Sequence, residues 1–234
     1  MPEQEMPDAD RPRIPGLAWE SLTWESLSHR QVLSELVMAG WMLCGAGDWA
    51  VALRSPDGSL VARVCPFDPA YSAFVDLCRV CAGNRWLPKV ELAADLEGGG
   101  SAVFLEYVAP VDQVTAGQVA GKWKHGTGDA QFEELRRAAR KIDAKYRSST
   151  PWWDGFDLNS AHVRKAADGR LVLIDMFCID GASLYGKILE DVTEVRRRIP
   201  RDRMRYALEI PFIARESSAA EIRALNQAWT RGAR

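Results

Sequence analysis

Two aspartates at the ends of a predicted β-hairpin constrain this chain more than any other feature of its sequence. Asp157 closes a polar stretch, and the residues around Val163 predict a short strand. An Asp-Gly turn at 168–169 and an apolar run at 171–174 predict a second, buried strand that leads to Asp175. The hairpin therefore places two carboxylates at one edge. Phosphoryl transfer needs such a pair, because one Asp takes the acceptor proton while the other holds Mg²⁺.

This pattern resembles the catalytic loop and metal-binding segment of the protein-kinase-like fold, which includes bacterial, phage and aminoglycoside-type phosphotransferases. Asp157 and Leu158 match the first two positions of the family motif, and Asp175 follows 18 residues after Asp157, a typical separation. The resemblance implies that Asp157 is catalytic and that Asp175 binds the metal. His162 stands where the family has Asn, and imidazole is a poorer magnesium ligand than an oxygen donor. The metal motif reads Asp175-Met176-Phe177 and lacks its Gly.

A glycine-containing segment upstream resembles the nucleotide loop of the same family. Gly45 and Gly47 are separated by one residue, while Ala50 replaces a third glycine. Glycines let backbone N–H groups approach phosphates, so the resemblance implies that both glycines bind a nucleotide. The strand predicted at 60–64 carries Arg63 where the family has a Lys that contacts phosphates. A mobile hairpin loop and a solvent-facing Arg63 are the alternative interpretations.

A helix follows this strand in the prediction. An Asp-Pro pair at 68–69 predicts its start, and apolar residues continue at helical spacing. In the family this helix supplies a Glu that pairs with the strand Lys. The acid inside the predicted helix is Asp76, so we expect an Asp76–Arg63 pair.

The segment 104–108 resembles the hinge that holds adenine in this family. Strands are predicted at 89–95 and 101–108 around a glycine-rich turn at 97–100. The resemblance implies that Glu106 and Val108 contact the nucleotide through backbone groups. The alternative is an ordinary buried strand that runs to the surface.

Composition sets limits on the class of protein. A chain of 234 residues can form one domain or two small lobes, and a formal net charge of −2 gives no strong nucleic-acid signal. No apolar run is long enough to span a bilayer, so no membrane association is expected. The cysteine count of five is odd, which favours reduced thiols and a cytoplasmic location. Cys78 and Cys81 lie on the apolar pattern of the predicted helix and are expected in the core.

The chain divides into three parts in the sequence-based prediction. Residues 1–27 form a polar N-terminal tail with a repeated Trp-Glu-Ser-Leu, whose tryptophans are expected to pack on the domain. Residues 28–108 form a small nucleotide-binding lobe, and 109–234 form a mainly helical lobe that contains the catalytic loop and the metal-site hairpin. Helices are predicted at 28–40, 132–146, 182–198, 201–208 and 218–230.

The resulting expectation is an α+β, two-lobed, protein-kinase-like fold with a small antiparallel sheet lobe and a short helical lobe. The implied function is an ATP- and Mg²⁺-dependent phosphotransferase that transfers the γ-phosphate to a hydroxyl of an unknown protein or small-molecule acceptor. A pseudokinase that binds nucleotide or a partner without turnover is the second interpretation. An interaction module unrelated to kinases is the third.

Overall fold

The computed structural model describes residues 14–15 and 22–231, which form an α+β fold with antiparallel sheets. Its helices are α1 (His29–Met38), α2 (Tyr71–Val80), α3 (Gln113–His125), α4 (Ala130–Arg147), α5 (Gly181–Arg198), α6 (Pro211–Glu216) and α7 (Ala219–Arg231). Its strands are β1 (Met42–Ala46), β2 (Val51–Arg54), β3 (Leu60–Cys65), β4 (Val90–Asp95), β5 (Ser101–Glu106), β6 (Val108–Pro110), β7 (Trp153–Phe156), β8 (Val163–Ala166), β9 (Leu171–Leu173) and β10 (Phe177–Ile179). Within the described ranges, no helix combines the length and apolarity needed to cross a bilayer.

Five strands form the main sheet in the order β1-β2-β3-β5-β4, and α2 connects β3 to β4. All neighbouring pairs in this sheet are antiparallel. A second sheet has the order β6-β8-β9, and β7 pairs with β10. The β8–β9 pair is the hairpin predicted from the sequence, and its turn contains Gly169 at φ +88°, a conformation that glycine adopts without strain.

Alternation along β3 determines where its charged side chain lies. Leu60, Ala62 and Val64 are buried on one face, where they join a small core that includes Phe104. Successive side chains of a strand point to opposite faces, so Arg63 lies on the other face. There it contacts Tyr71 of α2. The pleat of β3 therefore places a cation between the sheet and the helix.

The larger core contains buried residues between Phe67 and Ala228. The inward face of α4 carries apolar residues at helical spacing, namely Phe132, Leu135, Ala139 and Ile142. This core also includes buried residues of α2 and α5. Burying a Phe, Leu or Ile side chain contributes about 1.5–3 kcal/mol. Packing of α2 against α4 fixes the helix that faces Arg63.

Five of the six predicted helices are confirmed, including α2 after the Asp-Pro pair at 68–69. A capping box at Ser28 begins α1, and α4, α5 and α7 cover the ranges predicted at 132–146, 182–198 and 218–230, although α5 is interrupted at Asp191. The helix predicted at 201–208 is wrong, because this segment forms two short 3₁₀ turns, Arg201–Met204 and Ala207–Glu209. The single strand predicted at 101–108 is broken at residue 107 into β5 and β6.

The N-terminal segment packs on the main sheet where it is described. Ile14 is buried in the small core, and Trp24 packs edge-on against Phe104 with ring centroids 5.7 Å apart. Trp24 therefore behaves as predicted for the tail. The first tryptophan of the repeat, Trp19, lies outside the described residues, as do residues 1–13.

Candidate functional site

A cavity of about 440 Å³ lies between the main sheet and the β6-β8-β9 sheet. We call it the front cavity. Six of the eight residues predicted for the site line it, namely Gly45, Gly47, Arg63, Val108, His162 and Asp175. Cavities of about 350 and 710 Å³ beside α2 contain none of the eight. The fold thus brings together residues that are up to 130 positions apart in the sequence.

The β1–β2 hairpin covers one side of the front cavity. Gly45 lies in β1, and the turn is closed by a bond from the Gly47 N–H to the Ala50 carbonyl at 2.9 Å. A Cβ built on Gly45 would meet no atom within 4 Å, and one on Gly47 would meet only the Ala50 oxygen at 3.8 Å. Neither glycine has positive φ. The protein itself therefore does not need glycine at either position.

The tip of this hairpin is tied to α6. Asp48 accepts a bond from Arg215 Nη2 at 2.5 Å, and its carbonyl accepts the Phe212 N–H at 2.9 Å. Arg215 Nη1 also donates to the Gly47 carbonyl at 3.4 Å. These contacts hold the glycine turn over the cavity.

Arg63 is anchored by a buried ion pair and an aromatic ring. Its Nη2 donates to Asp68 Oδ2 at 2.6 Å and lies 3.7 Å from Asp175 Oδ2. Its Cζ lies 3.6 Å from the centroid of the Tyr71 ring, which is a close cation–π contact. The solvent-facing Arg63 considered from the sequence is wrong, because its side chain is 11% exposed.

The carboxylates around Arg63 keep it charged. Burial lowers the pKa of Arg63, but the charges of Asp175 and Asp68 outweigh burial and hold this pKa above its ordinary value. Burial raises the pKa of Asp68 against the opposing effect of Arg63. The Nη1 atom of Arg63 is buried and has no hydrogen-bond partner among residues 14–15 and 22–231. A buried donor without a partner is rare and points to a missing acceptor.

The predicted Asp76–Arg63 pair is wrong. Asp76 Oδ2 instead accepts bonds from Lys145 Nζ at 2.8 Å and from the Tyr146 hydroxyl at 2.9 Å, so it joins α2 to α4. Asp68 supplies the partner for Arg63 while its other oxygen accepts the N–H groups of residues 70 and 71. Asp68 thus binds the backbone just before α2, which begins at Tyr71 with Ala70 as its N-cap, two residues later than the Asp-Pro pair predicted, and the ion pair with Arg63 is an additional role.

Asp175 has a backbone conformation that is unusual for a residue other than glycine. Its φ is +49°, and it connects β9 to β10 at the cavity wall. Asp tolerates this left-handed region better than most residues, but at a cost of order 1 kcal/mol. Conformations of this kind cluster at functional sites. The conformation is fixed by neighbours, since the N–H of the preceding Ile174 donates to the His162 carbonyl at 2.9 Å.

His162 orients the loop that carries Asp157. Its Nδ1 lies 2.5 Å from the Asp157 carbonyl, which can only accept, so Nδ1 carries the proton. Asn159 Oδ1 accepts the Ala161 N–H, which directs its Nδ2 toward Asp157 Oδ1 at 3.2 Å and His162 Nε2 at 3.3 Å. Both ring nitrogens of His162 are therefore engaged within the protein.

Asp157 lies at the junction of the front cavity and a second one. Its N–H donates to the Met176 carbonyl at 3.0 Å, so it is adjacent to the segment that carries Asp175. Its side chain is 45% exposed and lines a neighbouring cavity of about 560 Å³, which we call the side cavity. Asp48 and Trp49 line both cavities. The backbone of Asp157 thus lies next to the segment of Asp175, where β7 ends and β10 begins, but Asp157 lines the side cavity and Asp175 lines the front cavity.

Glu106 does not line either cavity. Both of its carboxylate oxygens accept from Arg170 Nη2, at 2.9 and 3.0 Å, and one accepts the Lys89 N–H at 2.9 Å. Its own N–H donates to the Lys89 carbonyl. The structure therefore separates Glu106 from the other predicted residues, while Val108 stays at the cavity.

Four residues at the site were missed by sequence reasoning. Asp68 and Tyr71 hold Arg63, and Asp48 and Trp49 separate the two cavities. Asp68 could have been found from the sequence, since a carboxylate at a helix start that binds backbone N–H groups through one oxygen keeps the other oxygen for an ion pair. Trp49 carried none, because an aromatic residue in a hairpin has the same pattern whether it is buried or lines a cavity.

Comparison with known proteins gives no family for this chain. No protein-family model matches it, and no curated protein matches its sequence.

Proposed function

We propose that the protein is a phosphotransferase that binds Mg-ATP in the front cavity and transfers the γ-phosphate to a hydroxyl of an acceptor in the side cavity. The observation that carries the proposal is the convergence of Gly45, Gly47, Arg63 and Asp175 on one cavity, as the kinase-like resemblance implies. The strand order of the main sheet and the position of α2 support the two-lobed, kinase-like arrangement.

The residues present fit a nucleotide phosphate and a magnesium ion. The space where a Cβ of Gly45 or Gly47 would lie is open, and Arg63 offers a buried donor, Nη1, without an acceptor among the described residues. Magnesium is usually held by one or two carboxylates together with phosphate oxygens, so Asp175 suffices as the protein's main contribution. Bound Mg²⁺ would supply neutralisation of charge on the phosphates.

In this proposal the acceptor binds in the side cavity, beside Asp157. In the proposed reaction the acceptor oxygen forms a bond to the γ-phosphorus, the bond to the ADP oxygen breaks, and Asp157 takes the hydroxyl proton. His162 and Asn159 hold the loop of Asp157 in place through the bonds described above. In this proposal His162 positions Asp157 rather than binding metal directly.

Nucleotide binding without turnover is the second candidate. It is favoured by the engagement of both His162 nitrogens, because the family's second metal ligand stands at this position. If His162 contacts the metal, His162→Asn supplies an oxygen donor and tightens magnesium binding. If it only positions Asp157, the magnesium titration stays unchanged and turnover falls.

Transfer of radiolabelled phosphate from ATP tests the proposal. The parent protein should label an acceptor or itself, and Asp157→Asn should reduce the rate by roughly 10²- to 10⁴-fold while ATP affinity is retained. The substitution preserves size, so folding should persist. ATP binding with no transfer to any acceptor would favour the second candidate, and equal rates for parent and variant would exclude Asp157 as the base.

A further inference from the structure

We propose that the side cavity binds a small acceptor that carries a single positive charge, an apolar body and a hydroxyl group, which describes a monocationic amino alcohol. The assignment of this molecule as acceptor rests on the proposed function. The binding itself rests on the shape, the lining and the charge of the cavity.

The size of the side cavity and its position beside the front cavity suit a binding site for a small acceptor. It has a volume of about 560 Å³, which suits a small organic molecule, and it adjoins the front cavity across Asp48 and Trp49. Asp157 lies at its wall. A hydroxyl placed beside Asp157 would therefore be next to the front cavity, while the rest of the molecule would occupy the side cavity.

The wall of the cavity is largely apolar and aromatic. It is formed by side chains of the β1–β2 hairpin, β7, α5 and α6, including Trp49, Phe156, Tyr185, Leu189, Ile210 and Phe212. The rings of Trp49 and Tyr185 have centroids 6.3 Å apart, and the Tyr185 hydroxyl is bonded to the Ala207 carbonyl. Tyr185 thus presents its ring rather than its polar end. Such a wall favours an apolar or aromatic body over a sugar.

All charged side chains that the described residues contribute to the cavity are acidic. They are Asp48, Asp154, Asp157 and Glu221, and no Lys, Arg or His among these residues lines it. The combination of apolar walls with charge of one sign raises the local concentration of the opposite charge. An anionic or strongly polar acceptor is therefore disfavoured.

Two of these four carboxylates are already compensated. Asp48 pairs with Arg215 at 2.5 Å, and Glu221 accepts the Ser218 N–H at 2.7 Å near the start of α7. Asp154 and Asp157 have no Lys or Arg partner within residues 14–15 and 22–231. If Asp157 receives the hydroxyl, Asp154 remains for one cationic group. This count favours a monocation over a polycation.

A thiol in the cavity wall reports the same negative field. Burial raises the pKa of Cys178 to about 12, with added contributions from Asp157, Asp154 and Asp175. Cys178 lines the side cavity.

Calorimetric titration of the full chain with paired ligands tests the inference. The probes are a panel of monocationic aryl amino alcohols, the neutral diols in which a hydroxyl replaces each amine, and a polycationic amino sugar. At least one amino alcohol should bind at least about tenfold more tightly than its diol, and this preference should shrink at high salt. The amino sugar should bind more weakly than the best amino alcohol. Tightest binding by diols or by the amino sugar, or binding by no member, would overturn the inference.

Two variants locate the site. Asp154→Asn should weaken the best amino alcohol about fivefold and leave its diol unchanged, as for loss of one exposed ion pair. Gly186→Ala should weaken both ligands, because its Cβ meets no protein atom within 4 Å but enters the cavity wall. Asp202→Asn is the matched control, since this exposed carboxylate lies outside the side cavity and should change neither affinity. Equal effects of Asp154→Asn and Asp202→Asn would contradict the assignment.

Failure of this inference differs from failure of the proposed function. Amino alcohol binding that responds to Asp154→Asn without any phosphate transfer would keep the binding site and refute the phosphotransferase. Phosphate transfer to neutral alcohols would keep the phosphotransferase and refute the cationic acceptor.

Discussion

Substitution of the two hairpin glycines should separate ligand binding from folding. Neither Gly45 nor Gly47 has positive φ. An added methyl group would come no closer than 3.8 Å to any other atom of the protein outside the adjacent residues. Ala at such positions stabilises a protein by about 0.4–1 kcal/mol, because the unfolded chain loses freedom. For a chain of this size that corresponds to a rise in Tm of about 1–4 °C. The unliganded Gly45→Ala and Gly47→Ala variants should therefore be as stable as the parent or more so.

Nucleotide affinity should change in the opposite direction. A methyl group at either position would keep phosphate oxygens away from the hairpin backbone. The Gly47 N–H already bonds to the Ala50 carbonyl, so the lost contact would be to another N–H of the turn and would cost about 1.5–3 kcal/mol for one charge-assisted hydrogen bond. That loss corresponds to roughly tenfold to hundredfold weaker binding. Thermal unfolding with and without Mg-ATP measures both quantities in one assay, because ligand that binds only the folded state raises Tm.

Gly117→Ala provides the matched control for this experiment. Gly117 lies in α3, its Cβ would meet nothing within 4 Å, and it lines neither cavity. This variant should gain about 1 kcal/mol from helix propensity and keep the full Mg-ATP shift. If Gly45→Ala and Gly47→Ala also keep the full shift, the hairpin does not contact the phosphates and the reasoning is refuted.

Three further predictions concern the neighbouring groups. Arg63→Met should lower the free energy of unfolding in urea by about 3–5 kcal/mol, because it leaves Asp68 buried without its cation. Adding Asp68→Asn should recover part of this loss, and full additivity of the two changes would exclude an energetic coupling between Arg63 and Asp68. Cys44 is exposed at the front cavity while the other cysteines are buried or half-buried, so a maleimide should label Cys44 first. Mg-ATP should slow this labelling, and an unchanged rate would show that the nucleotide binds elsewhere. Burial lowers the pKa of His29 despite the opposing charge of Glu209, so the unfolded chain binds more protons and the free energy of unfolding should fall as the pH drops below about 6.5. His29→Gln should reduce this pH dependence, and an equal slope of unfolding free energy against pH in both proteins would contradict the prediction.

Local sequence signals were sufficient for most elements of this fold. The Asp-Gly turn, the helix predicted from residue 28 and the apolar spacing of α4 each depend on a few neighbouring residues, and each was confirmed. The segment 201–208 has helix-forming residues, yet it forms 3₁₀ turns whose Tyr206 hydroxyl bonds to Glu97. Tertiary contact overrides propensity there.

Site residues could be predicted from the sequence only where motifs occur in the same order as in the kinase-like family. Gly45, Gly47, Arg63 and Asp175 could be aligned to a family pattern, and they meet at the front cavity. The partner of Arg63 could not be predicted, because Asp68 and Asp76 are both plausible in sequence and only packing of α2 on α4 decides between them. The side cavity depends on long-range contacts between α5, α6 and the first hairpin, which no local pattern encodes.

Magnesium-dependent binding of ATP tests the central claim most directly. Calorimetric titration of the parent should show ATP affinity that rises with Mg²⁺, and Asp175→Asn should abolish this dependence. Asn also tolerates the φ of +49° at this position, so the variant should remain folded. Absence of ATP binding at millimolar concentration, or unchanged magnesium dependence in Asp175→Asn, would contradict the assignment of the front cavity as a metal-nucleotide site.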